Sequence, residues 1–228
     1  MASEHTAKAF DSDLQELTRL VAEMGGLAER MITESVDALV RRDVALGKRV
    51  VAADVEIDRL QHLIEERAVL TIARRQPMAI DLREIVGAMR VATDLERIGD
   101  MAVNFCERTL ELNEEPQLKP YIDIPRMATT AQSMLRDALD SYVRGDMQLA
   151  QHVLDEDDVL DSLKTQVFRE LLTYMLQDPA TIEPALDLIL ISRHLERIGD
   201  HATNIAEDVI FMVSGRDVRH HAADHQTG

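Results

Sequence analysis

DLERIGD at 94–100 and HLERIGD at 194–200 share the hexapeptide LERIGD, which begins at Leu95 and again at Leu195. A repeated core segment would repeat leucines. This one also repeats an acid, a glycine and a second acid in a stretch patterned as helix. At about 100° per residue, Glu96, Asp100, Asn104 and Glu107 fall near 0°, 40°, 80° and 20°, while Ile98, Ala102 and Phe105 cluster near 180–240°. One face is acidic and the opposite face is core. The second copy repeats the division, with Glu196, Asp200, Asn204 and Glu207 opposite Ile198, Ala202 and Ile205.

The likeness extends well beyond the hexapeptide. Met31, Asp37 and Asp43 return 103 positions on as Met134, Asp140 and Asp146, and Asp54 and Asp58 return at the same offset as Asp157 and Asp161. Pro77 matches Pro179 at 102, and Glu96 matches Glu196 at 100. An offset that shrinks only across turns is what a duplication with loop deletions leaves. Ser12 with Gln15 three residues on reads as a capping box opening a helix toward Arg41, loosened or kinked at Gly25-Gly26. Asp43 caps a second helix, which stops before Pro77. Asp81 and Glu84 box a third, ending near Leu112. The three prolines of 113–127 interrupt all periodicity. Helices then run from about Pro125 to Arg144, from the Gly145-Asp146 break to about Leu176, and from the Asp178-Pro179 start to Ser214-Gly215. The fold class is all-α, two copies of a three-helix unit at 10–112 and 125–215, joined by a linker at 113–124. The tail 216–228 has no apolar periodicity and is expected to be disordered.

Composition agrees. Of 228 residues 46% are hydrophobic and only 3% aromatic, with 11 methionines and no tryptophan, a palette for helix-on-helix packing rather than sandwiches or barrels. The net charge of −17 opposes a phosphate backbone and an anionic leaflet, so nucleic acid and direct lipid binding are excluded as expected partners. The single cysteine, Cys106, permits no internal disulfide and no cysteine zinc cluster, and reads as a half-buried structural thiol. No signal peptide opens the chain, and the densest apolar stretch, 185–192, is far short of the roughly 20 residues a bilayer requires. The expected location is cytoplasmic.

Four acidic stripes carry the chemistry. Asp54 and Asp58 stand one turn apart, away from Ile57, Leu60 and Ile64; Asp157 and Asp161 do the same opposite Leu160, Leu163 and Val167. Like charges at i,i+4 oppose helix formation, yet the pattern occurs four times, and none of the four lysines interrupts the Glu96 or Glu196 stripe. Carboxylates with an amide oxygen are hard ligands suited to Mg²⁺, Mn²⁺ or iron. Facing D-x-x-x-D and E-x-x-x-D-x-x-x-N stripes could converge on one cation or a small cluster, with Gly99 and Gly199 allowing close helix approach; solvated acid faces are the alternative. Glu-x-x-His pairs at the stripes, H-E-x-x-H, a P-loop and G-x-S-x-G are all absent, which weakens enzyme readings. His194 and His201 have no counterparts in the first copy and read as edge residues.

Two three-helix repeats, each with D-x-x-x-D on the second helix and ERIGD-x-x-x-N on the third, resemble the PhoU family of phosphate-uptake regulators across about Phe10 to Gly215. The resemblance implies two tandem antiparallel three-helix bundles, a cytoplasmic homodimer, and metal ions or small iron or zinc clusters on the bundle faces (Mg, Mn, Fe or Zn). The implied ligands are Asp54, Asp58, Glu96, Asp100 and Asn104, then Asp157, Asp161, Glu196, Asp200 and Asn204. It further implies a non-enzymatic negative regulator of phosphate signalling that joins the ATPase subunit PstB of the phosphate ABC transporter to the sensor histidine kinase PhoR, peripheral to the membrane through those partners. A metal-dependent hydrolase or phosphatase and a plain helical scaffold are the alternatives. Arg193, beside Glu196 where the first copy has Thr93, is expected to alter the second site.

Overall fold

Asp43 and Asp146, 103 positions apart, set the architecture by the same device. In the computed structural model, which describes residues 2–216, each ends a sharp reversal and caps the helix that follows. The Asp43 carboxylate accepts a hydrogen bond from the Leu46 amide at 2.9 Å, and that of Asp146 accepts from Gln148 and Leu149 at 2.9 and 3.1 Å, satisfying amides that have no intrahelical partner. Six long helices result: α1 Ala2–Arg41, α2 Val44–Arg75, α3 Ile80–Leu112, α4 Asp123–Arg144, α5 Met147–Gln177 and α6 Ile182–Ser214, with a short 3₁₀ turn Pro179–Thr181 before the last. Among the described residues there is no strand. The helices form two antiparallel three-helix bundles, α1–α3 and α4–α6.

The core is the one the stripe arithmetic marks out. Ile98, Ala102, Phe105, Ile198, Ala202 and Ile205 are buried, as are Ile57, Leu60, Ile64, Leu160, Leu163 and Val167. Helix ends close on left-handed residues, Gln76 at φ 50°, Gly145 at 62° and Gly215 at 71°, the last two at positions where glycine carries no steric penalty.

The halves pack through α3 and α6, which run antiparallel. Arg90 pairs with the buried Asp208 at 3.1 Å and lies over the Phe211 ring. Arg83 donates to the Met212 carbonyl at 3.2 Å. Met212 in turn sits where a side chain at Gly87 would have to be. The segment between α3 and α4 is docked. The Lys119 ammonium, buried with 6% of its side chain exposed, bonds Asp123 at 3.0 Å and also Glu170 of α5. Arg42 donates to the carbonyls of Asn113 and Glu115 at 2.8 and 2.6 Å, tying the α1–α2 turn to the end of α3.

Several local expectations need correction. α1 begins at Ala2, so Ser12 lies inside it; a capping box starts a helix only after a break, and residues 2–11 contain neither Gly nor Pro. α1 also runs unbroken through Gly25-Gly26. Gly25 serves packing instead, since a Cβ there would come within 2.5 Å of Leu139 Cδ1 on α4. α3 starts one residue before Asp81, after Ala79, with no side-chain cap, so Asp81 and Glu84 do not form the expected box. α4 begins two residues ahead of Pro125, which then occupies its first turn, where the missing N–H is no loss. The expectation for 216–228 falls on residues that, after Arg216, lie outside the described ones.

Candidate functional site

The acidic stripes of each half come together because small residues let two helices close on one another. A Cβ on Gly99 would lie 3.2 Å from Ile57 Cγ2, and one on Gly199 would collide with Leu160 Cδ2. Ile57 and Leu160 sit three residues after Asp54 and Asp157, so each glycine seats the D-x-x-x-D helix against the E-x-x-x-D helix. The electrostatics register the result. The Asp54 carboxyl is pushed above its ordinary pKa by burial, then by the charges of Asp58 and, across the interface, Asp100. Glu96 is pushed up by burial and Asp100, with Asp58 and Asp54 adding from α2 against an opposing pull from Arg97. In the second half Asp157 is raised by burial and by Asp161, Asp158 and Glu196, and Asp200 by burial and by Glu196, Asp157 and Asp161. Like charges thus converge from two helices at two places.

The first cluster is short of cations. Arg97, half-exposed on α3, leans over the rim at 3.5 Å from Glu96 and 3.3 Å from Asp100. Asp54 Oδ1 is buried with no hydrogen-bond donor. An orphaned carboxylate oxygen among raised carboxyls is a donor set that suits a hard cation. Among the described residues no group of three His, Cys, Asp or Glu side chains is drawn together tightly enough to enclose an ion. The grouping is a face, not a closed cage.

The second cluster differs. Lys164 of α5 donates to Asp161 Oδ1 at 2.8 Å and to Glu196 Oε1 at 2.6 Å, bridging the two helices. No lysine interrupts the Glu196 stripe along its own helix; Lys164 reaches it from the neighbouring one. Its signal was available, because Gln61 occupies the matching place in the first copy. Arg193 makes no ion pair with Glu196; it lines a cavity of about 310 Å³ with Lys164, Phe168, Ile189 and Glu196. Asn204 donates its Nδ2 hydrogen to Asp94 of α3 at 3.2 Å, beside His201 Nδ1 at 2.9 Å from the same oxygen. His201 is therefore an inter-half contact rather than an edge residue. His194 is half-buried and stays neutral, its pKa pushed down to about 4 by burial and by the charges of Arg197, Arg108 and Arg193. Cys106 is fully buried rather than half-buried. Its thiol donates to Ser35 Oγ at 3.2 Å, and burial lifts its pKa to about 11, so it is an inert core residue.

Fold and site together define a class: a duplicated all-helical bundle presenting paired carboxylate faces. A family model described as the PhoU domain matches the chain twice, at residues 21–109 and 124–209. The chain belongs to the PhoU family. A protein from Rhizobium meliloti (strain 1021), called a phosphate-specific transport system accessory protein PhoU homolog, is 43% identical over 94% of this chain and 91% of its own length. One of the same name from Caulobacter vibrioides (strain NA1000 / CB15N) is 44% identical over 95% and 94%. The crystal structure of PhoU from Pseudomonas aeruginosa superposes with a TM-score of 0.87 at 39% identity, covering 91% of this chain and all of that one. That of the phosphate transport system regulatory protein PhoU from Streptococcus pneumoniae gives 0.86 at 26% identity. Among the described residues no helix is long and apolar enough to cross a membrane.

Proposed function

We propose that this protein is a non-enzymatic accessory regulator of phosphate uptake and phosphate signalling. The observation that carries the reading is the likeness, over nearly the whole chain, to relatives named as phosphate-transport accessory proteins. In this reading it works as a homodimer in the cytoplasm, joins the transporter's ATPase subunit PstB to the sensor kinase PhoR, and represses signalling when phosphate is plentiful. Asp54, Asp58, Glu96 and Asp100, with Asn104, hold a metal ion that neutralises the buried like charges and ties α2 to α3. Among the described residues no nucleophile or base stands apart from this carboxylate set, which supports a binding face rather than a reaction centre.

The regulatory reading is tested by deletion and complementation. Loss of the gene should derepress a phosphate-starvation reporter in high phosphate, and the wild-type gene should silence it again; a reporter that stays silent in the deletion strain overturns the reading. Co-purification with the transporter ATPase and the sensor kinase tests the partners directly. For the metal, Glu96→Ala with Asp100→Ala should remove the bound ion measured by elemental analysis. Unchanged metal content would refute the ligand assignment.

A further inference from the structure

The two carboxylate clusters are related by duplication but not in charge. On the long second helix of each unit the copies correspond at an offset of 103, which pairs Asp54 with Asp157, Asp58 with Asp161 and Gln61 with Lys164. Lys164 lies one turn beyond Asp161, and its ammonium reaches across the helix pair, 2.8 Å from Asp161 Oδ1 and 2.6 Å from Glu196 Oε1. Its side chain is 32% exposed, that of Glu196 19% and that of Asp161 55%, so the bridge runs from the rim of the groove at Asp161 inward to Glu196. Arg193 lines the cavity beside Lys164 and Glu196. In the first copy Gln61 supplies no charge. The nearest cation there, Arg97, stays on its own helix, 54% exposed, and pairs only with Glu96 and Asp100. Nothing from α2 answers the acids of α3, and Asp54 keeps a buried oxygen without a donor.

We infer that the Lys164 ammonium is the resident cation of the second carboxylate cluster, so that metal ions are taken only at the first. The ammonium already bonds one oxygen of Asp161 and one of Glu196 and neutralises charge that a metal ion would otherwise answer, and a tethered amine is always present at its carboxylates whatever the supply of metal. A dication entering beside the ammonium would also meet a like charge inside the groove. The two halves therefore do different things with one acid pattern. The second is held closed from within, and the first answers to ions in solution. The metal half of this inference rests on the ligand reading given under Proposed function; the lysine half does not.

The test strips the full-length protein with EDTA, loads it with Mn²⁺, desalts it and measures bound manganese. Wild-type content should vanish in Glu96→Ala/Asp100→Ala and stay unchanged in Glu196→Ala/Asp200→Ala. Lys164→Gln, which copies the first site's Gln61, should about double the manganese per chain, and the increment should disappear when Glu196→Ala/Asp200→Ala is added. Gln61→Lys should empty the first site. A wild-type content that falls with Glu196→Ala/Asp200→Ala, or no increment in a Lys164→Gln protein whose first site is loaded, overturns the inference. If neither wild type nor Lys164→Gln takes manganese, the metal reading fails and the exclusion of metal fails with it. Melting in EDTA then decides the lysine half: Lys164→Gln should lower the melting temperature and Gln61→Lys should raise it, and no shift in either refutes the lysine as resident cation.

Discussion

Replacing each LERIGD glycine by alanine gives a matched pair of perturbations with different outcomes. Both changes add helix propensity, about 1 kcal/mol in favour of alanine. The opposing term differs between the copies. At Gly99 the new methyl lies 3.2 Å from Ile57 Cγ2 and 3.4 Å from Cγ1, so a shift of a few tenths of an ångström accommodates it and the two terms nearly cancel. At Gly199 it overlaps Leu160 Cδ2, with Met134 Cε 3.5 Å away, and so deep an overlap in a closed core falls in the upper part of the usual overpacking cost, about 2–3 kcal/mol. Gly199→Ala should therefore be less stable than Gly99→Ala by about 1–2 kcal/mol, a melting difference of about 2–8 °C for a chain of this size. Scanning calorimetry of the two variants measures it. A double-mutant cycle with Leu160→Ala identifies the cause: shortening Leu160 should cost less in the Gly199→Ala background than in wild type, because it removes the overlapping atom. Equal melting temperatures for the two alanine variants, or a strictly additive cycle, would refute the packing argument.

Lys119→Met should lower stability by about 3 kcal/mol, since it strands Asp123 and Glu170 beside a buried methylene chain, and urea midpoints will show it. Cys106 should resist aromatic disulfide reagents at pH 8 in the folded protein and react fully in denaturant, because its pKa near 11 leaves almost no thiolate. His194 should weaken the fold in mild acid. Its folded pKa near 4 lies below the unfolded value of 6.5, so between those limits the unfolded chain binds a proton the native one refuses, and stability falls as pH falls by at most about 3 kcal/mol. Comparison with His194→Gln isolates this slope from the cluster carboxyls, whose raised pKa values act in the opposite sense just above pH 4.

Much of this was legible in the chain, and what was not has a common cause. The paired caps Asp43 and Asp146, the left-handed Gly145 and Gly215, and the buried Ile98 and Ile198 each follow from local pattern, because helix periodicity and capping act within a few residues. The convergence of Asp54 on Asp100 followed once two neighbouring helices were assumed. Contacts made between helices did not follow. Lys164 reaches Glu196 on the next helix, Gly25 makes room for Leu139 of α4, and Asn204 bonds Asp94 across the seam, none of which a single helix's pattern encodes. The helix-start signals at Ser12 and Asp81 likewise depend on surroundings that the local code omits. Ser12 carries the local code for a cap, but that code states only what a side chain can do if the backbone breaks there.

The seam between α3 and α6 shows how the duplication has parted into unlike halves. At the offset of 100, Asp94 corresponds to His194, Met101 to His201 and Asn104 to Asn204. Because the helices run antiparallel, Asp94 meets His201 and Asn204, whereas the reciprocal corner holds His194 with Nδ1 lacking a partner among the described residues. One corner is thus a bonded triad and the other a neutral, desolvated ring. The same asymmetry reaches both clusters. Asn204 donates to Asp94 across the seam, whereas at the position matching Asp94 the second copy has His194. Lys164 fills the second groove and Gln61 leaves the first unfilled. The Asp94–His201 contact and the Lys164 bridge are thus two separate ways in which the duplicated halves have become unlike, and only the second of them bears on ion binding, as inferred above.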